Sequence, residues 1–327
     1  MSDLTGEIPQ MQDIVFSLAA SPNFALDGIC FAARQSGLYR TEDGGHTWRS
    51  AYDRLDLAPL PTTAVVVSPA FKTDRSVFAG MAGSVLRSLD GGQTWRVAVL
   101  GSPPLQVSTL VISPGFSQDG ILLAGTMEGG VFCSEDRGHR WAAWNFGLLD
   151  LNILCMAISP DFANDETLFV GTESGIFHST NGGRAWREVD LAMDLAPILS
   201  LAISPDYARD GTLLAGTESQ GLFLSQDKGT TWRQVGAKTI TEPVNAIVLS
   251  PSFSAQPDVL VLLGEALLIS RNKGRSWSRR RARQWPVQVA ACVAAPQGLD
   301  PDAPLLVGFM GGDVARINWS MLASAVK

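Results

Sequence analysis

The chain has 327 residues, 46% of them hydrophobic and 17% charged, with a net charge of −7. Its 32 glycines and 18 prolines suit a soluble all-β protein of many short strands joined by tight turns, long enough to bury a large core. The longest apolar stretch, 259–269, is broken by Gly264-Glu265 and reads as two buried strands with a turn, which excludes a membrane-spanning helix.

From the N-terminus, residues 1–10 carry Asp3 and Glu7 and no basic segment before an apolar run, so no secretory signal is expected. One phrase then recurs six times: Thr41-x-Asp43-x-Gly45-x-x-Trp48, with counterparts at Asp90 and Trp95, Asp136 and Trp141, Asn181 and Trp186, Asp227 and Trp232, and Asn272 and Trp277. The Trp-to-Trp steps of 47, 46, 45, 46 and 45 residues mark a propeller or an array of blades. A second phrase, Ser-Pro-x-aromatic-x-x-Asp, begins at Ser21, Ser68, Ser113, Ser159 and Ser204, returns with two extra residues at Ser250, and decays to Ala295-Pro296-Gln297. Seven units therefore start near residues 13, 61, 106, 152, 197, 243 and 286, and residues 1–327 read as one domain.

Unit five shows the plan most clearly. Period-2 alternation predicts four strands at 198–204, 212–216, 221–225 and 232–235, with the Asp-containing phrase in the turn between the third and fourth. Asp or Asn bonds backbone N–H groups within such a turn, Gly tolerates positive φ, and Trp supplies a large apolar plate. The six copies are expected to be architectural rather than catalytic. Unit seven lacks the phrase, since Trp319 follows too soon. Either residues 319–327 supply its last strand, or the segment 4–8 pairs there and closes the ring.

These phrases match the Asp-box, or BNR, repeat, and over nearly its whole length the chain resembles sialidase-type, sortilin-type and photosystem II assembly-factor-like propellers. The resemblance implies an all-β seven-bladed propeller of four-stranded antiparallel blades. Because those families do unrelated things on one scaffold, it leaves function to be argued from individual residues.

Several candidates stand out. Glu128, Glu173, Glu218 and Glu265 come from four successive units, in turns that share one face of a propeller; they form either a ring of carboxylates for a cation or basic segment, or plain soluble turns. Trp144, Phe146 and Trp285 place aromatics in connections between blades, as partner anchors or as covers for the blade ends. Between residues 266 and 299 lie Arg271, Lys273, Arg275, Arg279, Arg280, Arg281 and Arg283 with no carboxylate, leaving −14 on the remainder. Arg279 to Arg283 on an outer strand of blade six suggest docking to an acidic surface, against the alternative of edge protection. Photosystem II assembly-factor propellers are also described as having an arginine-rich patch, so the resemblance points the same way.

Signals for catalysis are weak. A sialidase needs an arginine triad and a Tyr–Glu nucleophile pair; this chain has only Tyr39, Tyr52 and Tyr207, and no Arg-Ile-Pro phrase. His46, His139 and His178 have no metal-ligand spacing, and Asp27, Asp74, Asp119, Asp165 and Asp210 recur too regularly to read as calcium ligands. No metal or cofactor is expected. Cys30, Cys133, Cys155 and Cys292 have no pairing pattern and no shared place in the repeat, so free thiols in a reducing, cytoplasmic compartment are expected. The reading is a non-catalytic interaction scaffold or assembly subunit that binds a partner protein, with nucleic acid and membrane insertion disfavoured. The alternative is a glycan-binding protein or glycoside hydrolase.

Overall fold

The computed structural model describes residues 12–55, 60–191, 196–282 and 288–324. They form seven antiparallel sheets in chain order, each built on the strands of one repeat. In unit five the strands are Ile198–Ile203, Leu213–Thr217, Leu222–Ser225 and Arg233–Val235, within one residue of the sequence expectation. The first strand of each unit neighbours the first strand of the next, and Ala290–Ala294 of blade seven returns to Val15–Ala20 of blade one. The result is a closed seven-bladed propeller.

The Ser-Pro phrase makes a single helical turn rather than a bare loop. Its aromatic is buried, at Phe24, Phe71, Phe116, Phe162 and Tyr207. The Ser hydroxyl donates to the Asp six residues later at 2.5–2.8 Å, and the other carboxylate oxygen accepts the backbone N–H two residues further on at 2.9 Å. All of this is local hydrogen bonding, which a seven-residue phrase can encode by itself.

Packing between blades is another matter. The apolar core is divided into seven wedges, each shared by two consecutive blades. The box tryptophan lies in the wedge against the preceding blade: Trp95 Nε1 donates to Ala51 O at 2.9 Å and Trp186 Nε1 to Trp144 O at 2.8 Å. These plates thus join two blades. The wedge between blades six and seven has no box, and Trp319 occupies it instead, with the Arg271 guanidinium 5.7 Å above its ring.

Second-strand glycines supply a further joint. Gly80, Gly125, Gly171 and Gly308 lie where an added Cβ would come within 2.5–2.7 Å of Val107, Ile153, Ile198 and Val15 of the next inner strand. The missing side chain is the hole into which the next blade inserts a β-branched knob. Beside these holes, inner-strand side chains donate to the next blade's backbone: Thr63 to Val107 O, Ser108 to Ile153 O, Ser200 to Val244 O at 2.8 Å, and Asn245 to Ala290 O at 2.9 Å. Cys155 and Cys292 do the same, to Ile198 O and Val15 O, both at 3.3 Å. The expectation that the cysteines share no place in the repeat is therefore corrected: Cys155, Ser200 and Cys292 each sit opposite the packing glycine of their own blade. All four thiols are free.

Blade seven departs from the first of the two closures foreseen. Leu322–Ser324 does form a strand, but it pairs with Ser278–Ala282 of blade six, giving that blade five strands and leaving blade seven with three among the described residues. The segment 4–8 lies outside the described residues. The seam to blade one is made by Val15 against Gly308, by the Cys292 bond, and by Arg316, which donates to Gly44 O at 3.0 Å.

Candidate functional site

The six boxes share one geometry. Thr41 or the corresponding Ser donates to Oδ1 of Asp43, Asp90, Asp136, Asn181, Asp227 and Asn272 at 2.7–3.0 Å, while accepting the box Gly N–H at 2.8–3.0 Å. The same Oδ1 takes the N–H four residues on, at 2.8–2.9 Å. Only one oxygen is essential, which is why Asn serves at 181 and 272. Every box carboxylate is committed to its own turn.

That commitment has a pH signature. Burial pushes Asp90 up, but bonds from Thr94 and Ser88 outweigh it and leave its pKa at about 2; Asp43, Asp136 and Asp227 are lowered as well. A carboxylate depressed in the folded state stabilises above its unfolded pKa of about 3.9, and the gain is lost as pH falls through the folded value. The melting temperature is therefore expected to fall between about pH 4 and 2, and Asp90→Asn, which keeps Oδ1, to flatten part of that fall. An acid limb unchanged by this substitution would refute the assignment.

Tyrosine chemistry is likewise spoken for. Tyr52, the one tyrosine in a connection, is half-buried against Trp95 with its hydroxyl 2.9 Å from Thr62 Oγ1, and desolvation raises its pKa. Tyr207 donates to Lys228 O at 3.3 Å, and Tyr39 lies under Arg34 with its hydroxyl 3.2 Å from Ser36. Among the described residues none is hydrogen-bonded to a glutamate. His178 stacks on Phe169, with burial lowering its pKa, and His46 Nε2 is 3.1 Å from Arg316.

On the loop face Glu128, Glu173, Glu218 and Glu265 are exposed. Among the described residues no three His, Cys, Asp or Glu side chains gather into a metal-holding group. The ring of carboxylates expected as one alternative is thus not assembled as a cation site. Glu128 and Glu173 instead belong to a local network: Asn152 accepts the Glu128 N–H at 2.9 Å and donates to Glu173 Oε2 at 3.1 Å.

The basic cluster is only partly available. Arg271 is bound to Asp258 and to Leu299 O, bracing blade six against blade seven. Arg279 pairs with Glu242 at 2.7 Å, and Arg280 and Arg281 lie on Ser278–Ala282. Since Leu322–Ser324 covers that strand, it is not the edge of blade six as expected, and edge protection loses its premise. Arg283 and Trp285 lie outside the described residues.

The connection between blades three and four separates its two aromatics. Trp144 is half-buried in the wedge, with Arg184 4.8 Å above its ring, whereas Phe146 is 80% exposed. Leu149 and Leu151, which the sequence reading did not single out, are exposed beside it. A cavity of about 380 Å³ on blade one was also missed: Arg40, Glu42, Arg49, Asp53 and Arg54 line it, with Glu42 bridging Arg40 and Arg49. Arg40 and Arg49 lie directly opposite each other on adjacent strands, so only strand register reveals the pair.

Seven inter-bladed wedges, six identical boxes and a closed ring of inner strands settle the class. The chain is an Asp-box seven-bladed propeller. A family model for the photosynthesis system II assembly factor YCF48 matches residues 104–240 of the propeller, under half of its length. Among solved structures, YCF48 bound to D1 peptide is similar at 16% identity and a TM-score of 0.69, with 96% of this chain and 94% of that one covered. The xyloglucanase of glycoside hydrolase family 74 from Xanthomonas campestris is similar at 18% identity and a TM-score of 0.74, covering 94% of this chain and 52% of that one. The extracellular domain of the putative one component system BT4673 from B. thetaiotaomicron is similar at 14% identity and a TM-score of 0.70, covering 94% and 38%. The propeller thus spans between about a third and a half of the length of these last two. No curated protein matches by sequence. At such identities the likeness is one of fold.

Proposed function

We propose that the propeller is a non-catalytic interaction module, an assembly or accessory subunit that holds a partner protein. The observation that carries this reading is the commitment of its reactive side chains: box carboxylates, Ser-Pro carboxylates and tyrosines are tied into turns and wedges. The similarity to a propeller bound to a peptide supports the same reading. The basic strand of blade six, with Arg279, Arg280 and Arg281, together with Arg283 next in sequence, is the proposed contact for an acidic surface of that partner. Four free thiols support a reducing compartment, the cytoplasm.

Changing those four arginines to glutamate is expected to leave the far-ultraviolet circular dichroism and melting temperature intact and to abolish co-purification of the partner from native cells, measured by mass spectrometry against the unmodified chain. Unchanged co-purification would remove the basic strand from the interface. Hydrolysis of xyloglucan or a sialoside by the purified chain would overturn the non-catalytic reading itself.

A further inference from the structure

The connection between blades three and four presents apolar side chains on a backbone that has no freedom to withdraw them. Phe146 and Leu149 are each 80% exposed and Leu151 37% exposed, three large apolar side chains within six residues. Elsewhere among the described residues the exposed large apolar residues occur singly or as neighbouring pairs. Around these three the chain is held at nearly every step. Asn145 accepts the Val131 N–H at 2.8 Å and donates to Gly129 O at 2.9 Å; the Trp186 N–H donates to Phe146 O at 2.8 Å; the Leu148 N–H donates to Asn145 O at 3.0 Å, and Leu148 itself is buried. The Gly130 N–H donates to Leu151 O at 2.9 Å, and Asp150 accepts the N–H groups of Asn152 and Ser174 at 3.0 and 2.9 Å. Exposure here is a fixed feature, and a rigid apolar surface binds without an ordering cost.

Three carboxylates lie beside it. Asn152 ties Glu128 and Glu173 to the end of this connection, and Asp150 lies between Leu149 and Leu151. Hydrogen bonds from Asn152 and Ser174 keep Asp150 ionised, its pKa lowered despite partial burial. The nearby cation Arg184 is taken up by Glu135 at 3.1 Å and Glu166 at 3.8 Å.

We infer that Phe146, Leu149 and Leu151, with Glu128, Asp150 and Glu173 beside them, form a docking surface for a segment of a partner protein that carries apolar side chains flanked by lysine or arginine. This rests on the reading of the propeller as an interaction module, and adds to it a second contact opposite in charge preference to the blade-six strand. Apolar anchors supply the affinity and the carboxylates the orientation.

The test is selection of a random peptide library, displayed on phage, on the immobilised full-length chain, with the affinity of the enriched peptides measured by fluorescence anisotropy. Enriched peptides are expected to pair Leu, Phe or Met with an excess of Lys and Arg. Their affinity should fall at least about tenfold on Phe146→Ser with Leu149→Ser, and more weakly, in a salt-dependent way, on Glu128→Lys with Glu173→Lys. Both pairs are exposed, so their melting temperatures check that the fold is retained. Enrichment of acidic peptides, or affinity unchanged by Phe146→Ser with Leu149→Ser, would overturn the inference. Peptides lost only on Arg279→Glu with Arg281→Glu would overturn it while leaving the interaction module standing, and a library that yields no binder would count against both.

Discussion

Trp186→Ala is expected to destabilise the propeller by about 3–5 kcal/mol, the usual cost of deleting a buried large aromatic. Trp186 is 3% exposed, fills the wedge between blades three and four beside Leu148, Phe162 and Phe177, and donates its indole N–H to Trp144 O. Its loss leaves a cavity and an unpaired carbonyl at once. Trp48 provides the comparison: it lies in the smallest wedge, between blades seven and one, is half-buried, and has no partner for its indole N–H. Trp48→Ala should therefore cost less. Urea titrations of the two variants decide it; equal losses would mean that the tryptophans act only within their own blades.

Gly171→Ala is the second large effect, expected at about 1–3 kcal/mol from overpacking. The new methyl would lie 2.6 Å from Cys155 Sγ and 2.7 Å from Ile198 Cγ2, so either the knob of blade five or the thiol must move. In the same titration Gly101→Ala should be neutral, because its Cβ would meet nothing within 4 Å. Ile198→Ala in the Gly171→Ala background should recover part of the loss, since it empties the contested space; strictly additive losses would show that the two residues do not share a packing site.

The contrast between these positions shows what could be read from the chain. The box turns were legible down to the acceptor, because Ser, Asp and Gly at fixed offsets leave one way to satisfy the turn's own N–H groups. The blade count and strand limits were legible from the same phrases. The hole at Gly171 was not. In the sequence Gly-Thr looks like the start of a turn, yet Gly171 pairs in the middle of a strand and its purpose is the side chain of Ile198 in the next blade.

The candidate surface divides in the same way. An aromatic pair at Trp144 and Phe146 could be seen in the sequence, but which ring is spent on packing depends on Trp186 arriving from blade four. Similarly, arginines at 279–281 were evident, while their cover by the strand Leu322–Ser324 and the pairing of Arg279 with Glu242 were not.

The repeated phrases alone specify a seven-unit Asp-box ring, because the hydrogen bonds made by their Thr, Ser, Asp and Asn side chains within each box and Ser-Pro turn join residues within six positions of one another. Only the tertiary structure decided how blades join, which strand covers the blade-six arginines and which connection exposes its apolar side chains. Those outcomes rest on contacts between residues about one repeat or more apart, made by common residues such as Gly, Val, Ile and Leu whose identity carries no local signal of the partner they will meet.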